Sequence, residues 1–76
     1  MNKFHNIDGS PTAYAFACGY TQNFYEGSWH VQLYKEHMCY SVRSWENSER
    51  RNWDVFDTLT PARQRYRELV REIKRQ

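Results

Sequence analysis

Thirteen of the 76 residues are Phe, Trp or Tyr, and the aliphatic complement is thin: three Leu, two Ile and four Val. A chain of this size buries about 8,500 Å² on folding and keeps about 5,000 Å² in contact with water. One small core of that kind cannot hide thirteen rings. Some must lie at the surface, where aromatic side chains mark contact patches. The same arithmetic allows one domain and leaves no room for the cleft of a large cofactor. Hydrophobic residues make up 39% and charged residues 26%. That is too apolar for a disordered chain and too polar for a membrane protein. No apolar run approaches the roughly 18 residues needed to span a bilayer. The first ten residues hold one Lys and no apolar h-region, so a secretory signal is not expected and a cytoplasmic location is.

Periodicity divides the chain. Residues 1–12 read as an irregular N-terminal arm, with Asp8-Gly9-Ser10-Pro11 as a turn signal. Residues 13–76 read as a single α+β domain. Tyr14, Phe16, Cys18 and Tyr20 alternate with Ala13, Ala15, Ala17 and Gly19, which predicts a first strand. Thr21 to Ser28 then reads as a loop. Trp29, Val31 and Leu33 alternate with His30, Gln32 and Tyr34 in a second strand, and Glu36-His37-Met38 makes a tight connection. A third strand carries Tyr40 and Val42 on one face and Ser41, Arg43 and Trp45 on the other. Glu46 to Arg51 reads as a polar hairpin loop before a short fourth strand, Trp53 to Phe56.

The C-terminal segment predicts a helix of about 15 residues, capped by Thr60 with Pro61 in its first position. Ala62, Tyr66, Leu69, Val70 and Ile73 form one apolar stripe. The expected fold is therefore α+β: a four-stranded antiparallel meander with one C-terminal amphipathic helix on one face. Trp29, Val31, Leu33, Tyr40, Val42, Trp53 and Val55 are expected beneath the helix. His30, Gln32, Tyr34, Arg43, Trp45, Asp54 and Phe56 are expected on the uncovered face.

Little in the sequence supports catalysis. His5, His30, His37, Cys18 and Cys39 lack the paired spacing that structural zinc uses, so no metal is expected. The three glycines stand apart and form no phosphate loop. No Ser or Cys sits in a nucleophile motif, and Asp54 and Asp57 fall on different faces of a strand. Cys18 and Cys39 are expected as reduced, buried small hydrophobes. The expectation is a protein without enzymatic activity, cofactor or small-molecule substrate, and without a membrane partner.

Binding is the remaining class. An uncovered aromatic sheet face is a docking surface, and Trp, Tyr and Arg are the residues that dominate interfaces. Tyr34, Arg43 and Trp45, followed by Arg50 and Arg51, are the candidate binding residues. The expected partner is a protein, whether a host protein that is inhibited or regulated or a second copy of the chain. Nucleic acid is the alternative, through the same sheet face and the basic loop and helix.

The stretch from Trp29 to Val70 places three short strands before a helix, with Asp57-Thr58-Leu59-Thr60-Pro61-Ala62-Arg63 at the junction. This resembles the arm-type DNA-binding module at the N-terminus of phage-type integrases, a three-stranded sheet with one helix that places its sheet in the major groove. The resemblance covers over half of the chain. It implies a groove-reading role for Arg43, with Arg50 and Arg51 beside it. The strand expected at Tyr14 to Tyr20 and the several acids among the strands depart from that pattern. Size and composition also resemble small accessory proteins of phages and plasmids, some of which bind host defence or regulatory proteins.

Overall fold

The computed structural model describes residues 3–76. The chain runs α1 (Ala13–Ala17), β1 (Thr21–Glu26), β2 (Trp29–Lys35), β3 (Tyr40–Glu46), β4 (Glu49–Phe56) and α2 (Leu59–Lys74). The four strands pair in sequence order, all antiparallel, and α2 packs across one face of the meander. No helix among the described residues is long and apolar enough to cross a membrane. The accessible surface is 5273 Å², close to the value expected for a compact chain of this length.

The core lies between α2 and the sheet. Val31 and Leu33 of β2 and Tyr40 and Val42 of β3 meet Ala62, Tyr66, Leu69 and Ile73 of α2. Phe24, Trp29, Phe56, Leu59 and Val70 are half-buried around this cluster. The apolar stripe read from the helix is thus the stripe that is buried. Its start differs by two residues: Thr58 is the N-cap and makes no side-chain cap bond. Pro61 is then the third helical residue, where the backbone N–H has no intrahelical acceptor in any case.

The first strand falls elsewhere than the alternation predicts. Residues 13–17 form α1, a single helical turn and a half, and the edge strand β1 occupies the segment read as a loop. The alternate residues of Ala13-Tyr14-Ala15-Phe16-Ala17 are alanines, the strongest helix formers, so their period-two pattern carries no strand preference. Thr12 caps the helix by accepting the Ala15 N–H through Oγ1 at 3.2 Å. Gly19, at φ 96°, ends it in a conformation that glycine adopts without penalty. Phe16 drops into the core, 2% exposed, with its ring edge-to-face against Tyr20 and Tyr40 at 5.8 and 6.0 Å.

The polar run Glu46 to Arg51 is also not a loop. Asn47 and Ser48 alone turn the chain, both at positive φ (52° and 69°), as a two-residue hairpin requires. Glu46 and Glu49 then pair across the strands, and Trp45 pairs with Arg50, but Ser44 pairs with Asn52. Arg51 is therefore an extra residue in β4, a β-bulge. A slip of one residue exchanges the two faces of a strand. Beyond the bulge Asn52, Asp54 and Phe56 face α2, while Trp53 and Val55 face away, 50% and 55% exposed. This reverses the placement expected for all four of Trp53, Asp54, Val55 and Phe56. The shifted register gives the polar groups partners. Asn52 donates to Oγ of the buried Ser44 at 2.9 Å, and Asp54 accepts from Arg65 Nε at 3.0 Å.

The N-terminal segment from Lys3 onward folds back toward α2, on the helix side of the sheet. Met1 and Asn2, the first residues of the expected arm, lie outside the described residues. His5 and Pro11 form an isolated bridge around a turn at Asn6–Ser10, and Arg63 of α2 donates to the Pro11 carbonyl. Within the turn Asp8 Oδ1 accepts from the Ser10 N–H and Oγ, and these two bonds hold its carboxyl below the usual range. Both cysteines are free, but neither is fully buried: Cys18 is exposed at the end of α1 and Cys39 is half-exposed before β3. The short helix displaced Cys18 from the strand in which burial was expected.

Tyr66 is one of the two buried tyrosines of the core, with Tyr40. Burial, with a smaller contribution from the Tyr20 phenol, pushes its phenol up to about 12. The neutral form is thus favoured in the fold. Below pH ~10 both folded and unfolded chains keep this proton; above it the unfolded chain loses the proton first. Stability is expected to fall as pH rises from about 10 to about 12, and Tyr66→Phe to flatten that fall. Urea unfolding midpoints followed across this range provide the check. An unchanged slope in Tyr66→Phe would refute the burial of the phenol.

Candidate functional site

The face of the sheet away from α2 is built by cross-strand register. One row across the strands holds Tyr25, His30, Trp45 and Arg50, the next Asn23, Gln32, Arg43 and Trp53, and a third Thr21, Tyr34, Ser41 and Val55. Opposed side chains of neighbouring strands stand about 5 Å apart, close enough for rings to touch face to face. Tyr25 and His30 stack with centroids 4.3 Å apart and planes 13° from parallel. His30 and Trp45 stack at 4.8 Å and 20°. His30 is fixed between them by a 2.9 Å hydrogen bond between Nε2 and Asn23 Oδ1. Burial, and secondarily the Arg43 charge, lowers its pKa, which favours the neutral imidazole in the stack.

Arg43 continues the array. Its guanidinium carbon lies 4.5 Å from the Tyr34 ring centroid and 5.1 Å from the Trp45 centroid, within cation–π range of both. Nη2 donates to Gln32 Oε1 at 3.1 Å, while Nε is buried without a partner among the described residues. Tyr25, His30, Trp45, Arg43 and Tyr34 thus form one continuous chain of stacked groups across three strands. Arg50 covers the Trp53 ring at 4.9 Å on the β4 side.

The five binding candidates therefore separate. Tyr34, Arg43 and Trp45 are brought into contact on the open face. Arg50 joins that face through Trp53. Arg51, at the bulge, is instead engaged with Glu46 at 3.3 Å and Glu49 at 3.8 Å. Tyr25, Trp53 and Val55 belong to the face and were not among the candidates. Tyr25 lay in a segment read as loop, and Trp53 and Val55 were displaced by the bulge. His30 was placed on this face by alternation, but its position within a ring stack follows from the pairing with β1.

Geometry limits what the rings can hold. Parallel rings with centroids less than 5 Å apart stand on edge and cover one another's faces. What the surface presents is ring edges, one outer face of Tyr25, and the exposed Trp53 and Val55. A base-stacking platform needs ring faces open to the ligand. Beside the stack, a shallow cleft of about 380 Å³ opens between the β1–β2 and β3–β4 turns, with Tyr25, Trp29, His30 and Trp45 among its walls.

The other reactive groups do not converge on this face. Cys39 lies near Glu36, whose Oε2 accepts from Ser41 Oγ at 3.0 Å, and burial together with that carboxylate raises the thiol pKa, opposite to what a nucleophile needs. Among the described residues no three His, Cys, Asp or Glu side chains are grouped closely enough to hold a metal ion. Comparison of the chain with known protein families, with curated proteins and with solved structures finds no match.

Proposed function

We propose that this protein is a non-catalytic binding module that docks its open sheet face on a protein partner. The observation that supports this best is the cross-strand stack of Tyr25, His30 and Trp45 continued by Arg43 and Tyr34. The stack is preformed, so little side-chain entropy is lost on association. Rigid aromatic groups beside arginine are also the composition of interface hot spots.

The chemistry of the partner follows from the face. Arg43 and Arg50 make no ion pair among the described residues, since the ion pairs there engage Arg51 and Arg65. Under a two-fold axis a second copy would bring the same arginine-bearing patch against itself. An apolar protein surface with carboxylates is the better complement, its acids meeting the two guanidiniums and an apolar side chain filling the cleft beside Trp45. A host protein presenting such a surface is the partner we propose.

Trp45→Ala is the expected point of failure. It removes the middle of the array and should weaken partner binding by about 30-fold or more, the effect of truncating a hot-spot residue of about 2 kcal/mol. Light scattering of the wild-type protein should give a monomer mass. Affinity capture should then retain a partner on wild type and lose it on Trp45→Ala, with both proteins showing the same circular dichroism. A stable dimer that Trp45→Ala dissociates would replace the host partner with a second copy, and a partner retained equally by both would remove the sheet face from the function.

A further inference from the structure

The net charge of +2 conceals an uneven division. From Arg63 to Arg75 the chain carries six cations and two carboxylates, a net +4, and the remainder of the molecule is net −2. Within α2 the cations are not spread evenly. Arg63, Arg67 and Arg71, followed by the C-cap Arg75, come four residues apart, a rise of about 6 Å each, and Lys74 falls in the same arc. Glu68 and Glu72 lie beyond it. The ion pairs of the described residues engage Arg51 and Arg65, neither of which belongs to this row. Like charges spaced four apart oppose the helix that carries them. Arg63 and Lys74 have contacts within the fold, and Arg71 and Lys74 favour the dipole of the last turn, but no carboxylate among the described residues forms an ion pair with the row.

Its surroundings are equally specific. Arg63 is tied to the Pro11 carbonyl, and Lys74 lies over the Phe24 ring at 5.5 Å. Arg67, Arg71, Lys74 and Arg75 flank an open cleft of about 370 Å³ with Tyr66 and Val70 on its apolar wall. The charge of the row reaches Asp8, whose lowered pKa owes most to Ser10 and only a little to Arg67 and Arg63. This flank is on the other side of the sheet from the ring face.

We propose that Arg67, Arg71, Lys74 and Arg75 form a second binding site, for the phosphate backbone of a nucleic acid. Three of the four are arginines, whose forked donors bind phosphate oxygens in pairs. Their linear spacing along one helix matches an anion that repeats along a line. A membrane surface is a poorer complement, because the apolar face of α2 is already buried against the sheet and cannot enter lipid. The site is independent of the protein-docking face, and it assigns nucleic acid to the helix where the sheet offers ring edges and few unpaired cations.

Salt dependence tests it directly. Four neutralised phosphates give a slope of about −3.6 in log affinity against log salt, so binding to a labelled DNA duplex should weaken about 150-fold between about 50 and 200 mM salt. Arg67→Gln with Arg71→Gln should halve that slope, leaving about a 12-fold change over the same range. Arg75→Gln alone should reduce the slope by about one. Arg43→Gln, on the opposite face, should leave it unchanged. Circular dichroism of each variant confirms the helix, and Arg75→Gln keeps the test valid if the double variant does not fold. The proposal is overturned by an absence of duplex binding at the lowest salt, by a slope that Arg75→Gln and the double variant do not move, or by preferential binding to phosphatidylserine vesicles.

Discussion

Phe16→Ala is expected to destabilise the protein by about 3–5 kcal/mol, the cost of removing a fully buried ring and leaving its cavity. A chain of this length has roughly 4–11 kcal/mol of stability in all. At a urea dependence of about 1 kcal/mol/M, the unfolding midpoint should drop by about 3 M or more. Phe16 is 2% exposed and makes edge-to-face contacts with Tyr20 and Tyr40. It is the one large side chain of α1 that enters the core, so its loss should also release the helix from the sheet. A variant within 1 kcal/mol of wild type would mean that residues 13–17 are not seated there.

Leu69→Ala is expected to cost about 2–5 kcal/mol for the same reason, from the other side of the core. Leu69 is 4% exposed, in the middle of the α2 stripe, and belongs to the same core cluster as Val31, Leu33 and Val42. Because α2 and the sheet share one core, the unfolding transition should remain a single step while its midpoint falls. A change near zero would contradict the packing of α2 on the meander. The two substitutions lie on elements read very differently from the sequence, and their agreement would establish that both elements share one core.

The difference in legibility has a physical basis. The place of Leu69 is legible because a helix of 16 residues repeats its stripe several times, and Ala62, Tyr66, Leu69 and Ile73 reinforce one another. The hydrophobic sides of β2 and β3 are also plain, since both strands are central and Val31, Leu33, Tyr40 and Val42 fall at alternate positions, although Ser41 on the other side of β3 is buried as well. Phe16 reads as a strand residue because five residues are too few to separate a period of two from one of 3.6 when the intervening positions are all alanine. β1 is not legible because an edge strand with polar residues on both faces carries almost no pattern.

The site was legible to the same extent. Tyr34, Arg43 and Trp45 lie on central strands and come together as the alternation implies. The contributions of Tyr25 and Trp53 depend on an edge strand and on a bulge, and neither is written in periodicity. Arg51 looked equivalent to Arg50 in sequence, but the extra residue of the bulge sends it to Glu46 and Glu49 instead of to the face.

The bulge at Arg51 also couples two properties that most domains keep separate. Everything in β4 beyond it owes its side of the sheet to one additional amino acid. Trp53 is available to a partner for the same reason that Phe56 is available to the core. Point changes can alter either one singly, but a gain or loss of a single codon between Asn47 and Asn52 would trade surface for interior along half a strand. The hairpin is a short surface turn of the kind that usually accepts length variation freely, yet here its length acts as a reading frame for both recognition and folding.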